Sequence, residues 1–576
     1  MKQHRRPWMT TLSATLLGSL VACATSPDRP SPEPATPPAT ARTESQPSAS
    51  QEAASSPAAV APVKAAARPV RLSWQEFAKD PNRVASFRKA VQVMKQRNAL
   101  PPSSMEFRTS WNYWANIHGY LGPNAKKKTK AEYIKTLKER GLFQPGDERF
   151  FEGISDQTPP DALAQKVWDQ CPHGTQAFFP WHRLYLFYFE RVLRAAAGDD
   201  TLRLPYWDYT DPKQVAMLAE FTQPTYTDAQ GTVLPNPLHD ARRAAQQFSL
   251  DPQTTNVNDW LAQGDYANFW PGIERNVHGY VHCTVNSCPL PFMGAVALSS
   301  NDPIFWLHHA NIDRLWTCWL SEGHENPAGA FQQASFSFVN ENGEEVTHQV
   351  RDLFGPTSII DYTYDHETSC ARAVQQPVAQ TLVSAAAPTS SDKQAAAATP
   401  SAPVDRPEVI GRSTKEVKIT GPVSRQTLDL PERGQKTLML QGALAVPGKA
   451  PSDVELVLDG IEYAAHPGTM FNVILEKKDD PTKRQYVGTL SFFSAPLYGD
   501  EEHHHHDNKP AQQTFDVTEE LRALVGPGLN IQDVNVVFEA TTGQAGATPE
   551  KSMARFNKQA NLRVKNIELR VKPTSR

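Results

Sequence analysis

Six histidines have the types and spacing most able to do chemistry: His118, His173 and His182, then His278, His282 and His309. Five of them lie in two strings. One is HGTQAFFPWHRLYLFYFE, residues 173–190; the other is HGYVH from residue 278, completed by DPIFWLHHANID, residues 302–313. Sets of neutral imidazoles with no thiolate or carboxylate in ligand position favour copper over zinc or magnesium. Two such sets imply a copper protein that handles oxygen.

Helices must position these side chains. Leu186, Phe189, Leu193 and Ala196 or Ala197 recur at helical spacing, and Pro180 suits the first turn of that helix. His182 is therefore just inside it, and His173 belongs to the preceding loop. His118 ends a segment that resumes the helical pattern of Phe87 to Met94 after Pro101-Pro102. His278 and His282 are four apart, which on a helix puts both on one face. That spacing alone is commoner in satisfied histidine pairs. It is not the zinc-protease motif, because Gly279 stands where the glutamate is required. His308 and His309 are expected to open another helix through Ile312, Leu315 and Trp316. Neighbours on a helix point about 100° apart, so only one of the pair is expected to face a metal.

The rest of the chain bounds the setting. Lys plus Arg number 58 and Asp plus Glu 62, with no basic run, so nucleic acid is not an expected partner. Lys2, Arg5 and Arg6 precede the mostly apolar stretch Leu12 to Ala22, too short to span a bilayer and fitting a signal peptide. Leu20-Val21-Ala22-Cys23 resembles a bacterial lipobox, with Cys23 the lipidated residue; plain cleavage after Ala22 or Ala24 is the alternative. Arg5-Arg6 is compatible with twin-arginine export. Either way the expectation is an exported chain, periplasmic, secreted or anchored to an outer membrane, touching the membrane only through that lipid. The expected division is residues 1–23 signal peptide, 24–68 linker, 69–372 copper domain, 373–404 Ala/Pro/Ser-rich linker and 405–576 a second domain. Without Cys23 there remain Cys171, Cys283, Cys288, Cys318 and Cys370, an odd number for an oxidising compartment.

At this point the strings carry a family resemblance. The first resembles the first copper signature of tyrosinases, catechol oxidases and molluscan haemocyanins; Asp302-Pro303-x-Phe305 with His309-x-x-x-Asp313 resembles the second. It covers about residues 70–370. It implies two copper ions, the first held by His118, His173 and His182, the second by His278, His282 and His309, with His308 behind them. His118 rests on the short pattern Trp111-Asn112 to Ile117-His118. The implied fold is mainly α, an antiparallel four-helix bundle with the metals between facing helices. Arg183 and Asp313 match residues that anchor those helices, a structural salt bridge in our reading. Leu204 to Asp208 resembles a family segment assigned to packing.

The resemblance also implies tuning residues. In fungal tyrosinases and molluscan haemocyanins, Cys-x-His forms a thioether to the second ligand of the first copper, which here joins Cys171 to His173 and fixes a loop ligand; a disulfide to Cys171 is the alternative. The other four cysteines allow three pairings, of which Cys283–Cys288 and Cys318–Cys370 are expected. Val296 falls at the position gating the second copper, where a valine leaves room. Glu274 matches a glutamate that holds a water able to accept a phenolic proton. Gly279 stands where strong monophenol oxidases often have asparagine, which makes diphenol oxidation the expected activity.

From about residue 404 the pattern changes to short alternating runs, Thr437–Gln441, Val454–Leu458, Phe471–Leu475 and Val534–Phe538, an all-β sandwich. Tyr486 to Phe492 and the His-rich Glu501 to Asp507 resemble the C-terminal domain of plant polyphenol oxidases, which covers the active site and keeps the enzyme latent. The His-rich stretch reads as solvated loop histidines, with transient copper capture as the alternative. The expected function is oxidation of o-diphenols by O2 to o-quinones, with little hydroxylation of monophenols and latent until the second domain is removed. A haemocyanin-like oxygen binder and an o-aminophenol oxidase are the alternatives.

Overall fold

Asp80 opens the first long helix, α1 (Pro81–Gln96), by accepting the Asn82 N–H at 2.9 Å, with Pro81 at the first helical position. The computed structural model describes residues 68–123, 128–366, 370, 407–413, 415–429, 454–493, 511–525 and 534–571. The signal-like segment with Cys23, the linker 373–404, the run Thr437–Gln441 and the His-rich Glu501–Asp507 lie outside the described residues.

Helices come first in the chain and a β domain follows. After α1 come α2 (Trp111–His118), α3 (Phe178–Ala197), α4 (Tyr266–Ile273), a π-helical turn (Glu274–His278), α5 (Gly279–Val285) and α6 (Ile304–Ser321). α3 is buried on nearly every face, as a helix apolar around most of its circumference must be. It stops at Gly198, whose φ of 65° is left-handed and whose N–H meets the Arg194 and Ala195 carbonyls. α6 starts at Ile304, a turn earlier than expected, because the Asp302 carboxylate accepts the Ile304 N–H and is held by Arg243 at 2.6 Å. Cys283–Cys288 and Cys318–Cys370 are both disulfide-bonded, the expected pairing. Among the described residues, no helix is long and apolar enough to cross a membrane.

The β domain packs two sheets. Its strands are β1 (Glu408–Ser413), β2 (Val417–Lys418), β3 (Val423–Thr427), β4 (Val454–Glu462), β5 (Met470–Lys477), β6 (Asp480–Leu490), β7 (Ala511–Asp516), β8 (Val534–Thr541) and β9 (Arg563–Val571). One sheet runs β7-β4-β9-β1, with β2 also on β9; the other runs β6-β5-β8-β3, all antiparallel. Period-2 positions fill the space between them: Phe471, Val473 and Leu475 from β5, Val536 and Phe538 from β8, against Leu456 and Leu458 of β4 and Ile567 and Leu569 of β9. Two residues of this domain, Met470 and Phe493, instead join the core of the helical region.

Candidate metal centre

The first histidine set assembles from three places: the end of α2, the loop before α3, and the first turn and a half of α3. One ligand atom from each of His118, His173, His182 and Cys171 lies within 4.8 Å of the others. Ring centroids are 5.3 Å apart for His118 and His173 and 5.7 Å for His173 and His182. The second set comes from the π turn, α5 and α6, where His278, His282, His308 and His309 converge within the same 4.8 Å. The sets face each other, with His182 stacked on His309 at 4.3 Å and His173 on His278 at 5.5 Å.

His308 departs from the expectation that only one of the pair reaches the centre. Both side chains are long enough to bring a ring nitrogen to the same cluster despite the 100° step between them. Its Nδ1 meets the Tyr209 hydroxyl at 2.9 Å. A hydroxyl donates or accepts, so that contact does not dictate which His308 nitrogen carries the proton.

Four other imidazoles are fixed by the main chain. The Nδ1 of His118 lies 2.9 Å from the Val296 carbonyl, His182 2.7 Å from Phe178, His278 3.1 Å from Glu274 and His282 2.7 Å from Met293. A carbonyl only accepts, so each Nδ1 must donate, and each Nε2 is left with its lone pair toward the centre. Burial holds His182 down at about 3 and His278, His282 and His309 well below the usual imidazole range, so all are neutral at pH 7.

Comparison with known proteins bears on this geometry. The family model for the common central domain of tyrosinase matches residues 108–269 and 241–322, the region that holds both sets. That region of the chain is similar to the tyrosinase family's central domain. The chain is 30% identical over 311 residues to tyrosinase HcTyr1 of Hahella sp. (strain CCB-MM4), covering 48% of this chain and 59% of that protein. It is 28% identical over 241 residues to haemocyanin G-type, units Oda to Odg, of Enteroctopus dofleini, covering 37% of this chain and 8% of that protein. Both matches span less than two thirds of the relative's own length. A crystal structure of recombinantly expressed latent aurone synthase (polyphenol oxidase) is similar in fold, with TM-score 0.50 and 18% identity over 89% of this chain and 91% of that one.

Tyrosinase-family proteins bind two copper ions, and the residues present fit that pair. Each set offers at least three imidazoles and no carboxylate, a donor set suited to copper. The His278 Nε2 is buried without a hydrogen-bond partner, an arrangement that bound metal relieves.

The tuning residues have definite places. Cys171 belongs to neither disulfide; its Sγ lies 3.2 Å from His173 Nδ1, 3.8 Å from His173 Nε2 and 3.4 Å from His182 Nε2. Glu274 is not an exposed helix-end acid: it is 3% exposed, one oxygen accepts the Gly174 N–H at 2.7 Å, and burial pushes its carboxyl up to about 8. Val296 is half-buried, and its carbonyl is the acceptor for His118. Arg183 and Asp313 form a buried ion pair at 2.6 Å joining α3 to α6, shared with Arg71, Tyr362 and Tyr364. Asp208, at the end of the segment read as packing, pairs with Arg314 of α6 at 2.7 Å.

Sequence reasoning missed Phe493. Its ring stacks on His282 at 3.8 Å and 11°, and stands edge-on to His278 at 5.4 Å and His173 at 5.7 Å. One side chain of the β domain thus touches both histidine sets. The signal stood one residue beyond the Tyr486–Phe492 segment, and nothing in a run of apolar residues says which one leaves its own sheet.

Proposed function

We propose that this chain is an o-diphenol oxidase, held latent by its β domain, with His118, His173 and His182 as ligands of one copper and His278, His282 and His309 of the other. Residues 69–372 carry the reaction and residues 405–576 the shield. Two catechols and one O2 give two o-quinones and two waters. The redox chemistry is supplied by the copper pair when bound.

The protein's own part is orientation, access and proton handling. The Val296, Phe178, Glu274 and Met293 carbonyls hold four imidazoles in one tautomer and direction, so donors need no reorganisation. The four helices α2, α3, α5 and α6 around the site support the four-helix bundle, braced by Arg183–Asp313. Glu274, in the deprotonated fraction that grows as pH rises toward about 8, is the candidate to take a phenolic proton, directly or through a water, with the Gly174 N–H orienting its carboxylate. Its Gln variant is expected to lose monophenol hydroxylation by about a hundredfold, with catechol oxidation much less affected. Equal monophenol rates in the two proteins exclude this role.

His173 has a sulfur neighbour where others have a carbonyl. A thioether from Cys171 to its ring carbon fixes the loop ligand covalently, and the closeness of Sγ to both ring nitrogens of His173 supports it. The reduced full-length protein is expected to weigh two hydrogens less than its sequence, and a Cys171→Ser variant to show no deficit. An undiminished mass rules out the bond.

The observation that carries latency is Phe493, seated against both histidine sets. An aromatic ring on His282 stands where a phenol approaching that side must enter. Turnover of 4-methylcatechol to a coloured quinone tests the enzymatic reading. Reversible O2 binding without turnover, even after the shield is displaced, marks an oxygen carrier instead. Export, with Cys23 as lipid anchor, remains part of the proposal and is tested by labelling with a radioactive fatty acid.

A further inference from the structure

The β domain does more than present Phe493: it grips the π turn that carries Glu274 and His278. Ser491 Oγ donates to the Arg275 carbonyl at 2.7 Å, Gln513 Nε2 donates to Asn276 Oδ1 at 2.8 Å, and Arg275 donates to the Gln512 carbonyl at 3.2 Å. A π turn shifts the usual helical hydrogen-bond pairing, and such turns recur at functional sites. Here the outer side of the turn is bonded by the partner domain.

Gly279, directly after His278, is the floor of this contact. A Cβ built there lies 2.5 Å from Ser491 Oγ and 3.5 Å from Phe493 Cβ. Gly279 has an ordinary right-handed helical backbone, φ −62° and ψ −34°, which any residue adopts, so backbone conformation does not require glycine here. What requires it is space. Ser491 can yield only by turning its hydroxyl away from the Arg275 carbonyl. Phe493 Cβ is in contact with the same added Cβ, so a side chain at 279 larger than alanine presses on Ser491 and Phe493 together.

We infer that Gly279 is the docking notch of the shield: the missing side chain admits Ser491, which seats Phe493, and a side chain at 279 unseats the β domain without any cleavage. This deepens the latency reading and rests on it. It also gives position 279 a second meaning. An asparagine there, as in strong monophenol oxidases, is incompatible with this shield in its present seat, so the chain holds latency at the expense of that side chain.

The test uses the intact full-length chain in five forms: Gly279→Ala, Gly279→Asn, Ser491→Gly, Gly279→Ala with Ser491→Gly, and Phe493→Ala as reference. Two readouts are taken, 4-methylcatechol turnover of the copper-loaded protein and hydrogen exchange of residues 486–493 in the metal-free protein. Expected are about a fivefold rise in both for Gly279→Ala, the scale of one lost hydrogen bond, and about tenfold or more for Gly279→Asn. Ser491→Gly by itself loses the same hydrogen bond, so Gly279→Ala is expected to add little in either readout on the Ser491→Gly background, whereas a merely structural disturbance at 279 adds the same in both backgrounds. If Phe493→Ala is active while Gly279→Asn stays latent with unchanged exchange, the notch is wrong and the shield stands. If Phe493→Ala is no more active than the parent, the shield reading fails, and unchanged exchange in Gly279→Asn then removes the notch as well.

Discussion

Phe493→Ala in the uncut chain is expected to raise 4-methylcatechol turnover by about tenfold or more at unchanged copper content. The ring is 4% exposed and its contacts are histidines of both sets. Truncating a buried phenylalanine typically costs 3–5 kcal/mol, and about 1.4 kcal/mol is tenfold in an equilibrium. A third of the truncation cost, taken from the docked state, therefore suffices. The space vacated has the size of an aromatic ring, which is what a catechol brings. Oxygen uptake and quinone absorbance measure the result, and a parent-like rate in the variant sinks the shield.

The second large effect is expected at His282. Its Gln variant keeps polarity but loses the imidazole that the Met293 carbonyl orients. Copper is expected to fall from two per chain to one, measured by atomic absorption, and catechol turnover to fall by more than the roughly 10- to 100-fold typical of losing an outer partner of a ligand. The same loop, from Met293 to Val296, also supplies the carbonyl that holds His118, so relaxation there reaches the first set. Retention of two tightly held coppers contradicts the ligand assignment.

What the sequence exposes and hides follows from how each feature is encoded. The histidine strings are legible because a metal site needs particular side chains at fixed helical spacings. The β domain is legible in Val454–Leu458, Phe471–Leu475 and Val534–Phe538 because a half-buried strand must alternate; these segments lie in β4, β5 and β8. Helical spacing predicts that only one of His308 and His309 faces the metal, since spacing along one helix says nothing of how that helix tilts against its neighbours. The π turn was not anticipated either, because it depends on backbone bonds that any residue can make.

Glu274 shows the same divide at one residue. Its position four before His278 is in the sequence, but burial, the Gly174 N–H and the raised carboxyl exist only once the loop before α3 packs against the π turn. The acceptors on Met293 and Val296 are main-chain atoms, with no side-chain signature at all.

By itself, then, the sequence determined the donor types, their grouping into two sets, and the succession of a helical region and a β region, because these are local and side-chain encoded. The tertiary structure alone decided that Phe493 lies over the histidines and that Ser491 occupies the space above Gly279. Both are contacts between segments more than 200 residues apart in the chain, and no local pattern records which surfaces will meet.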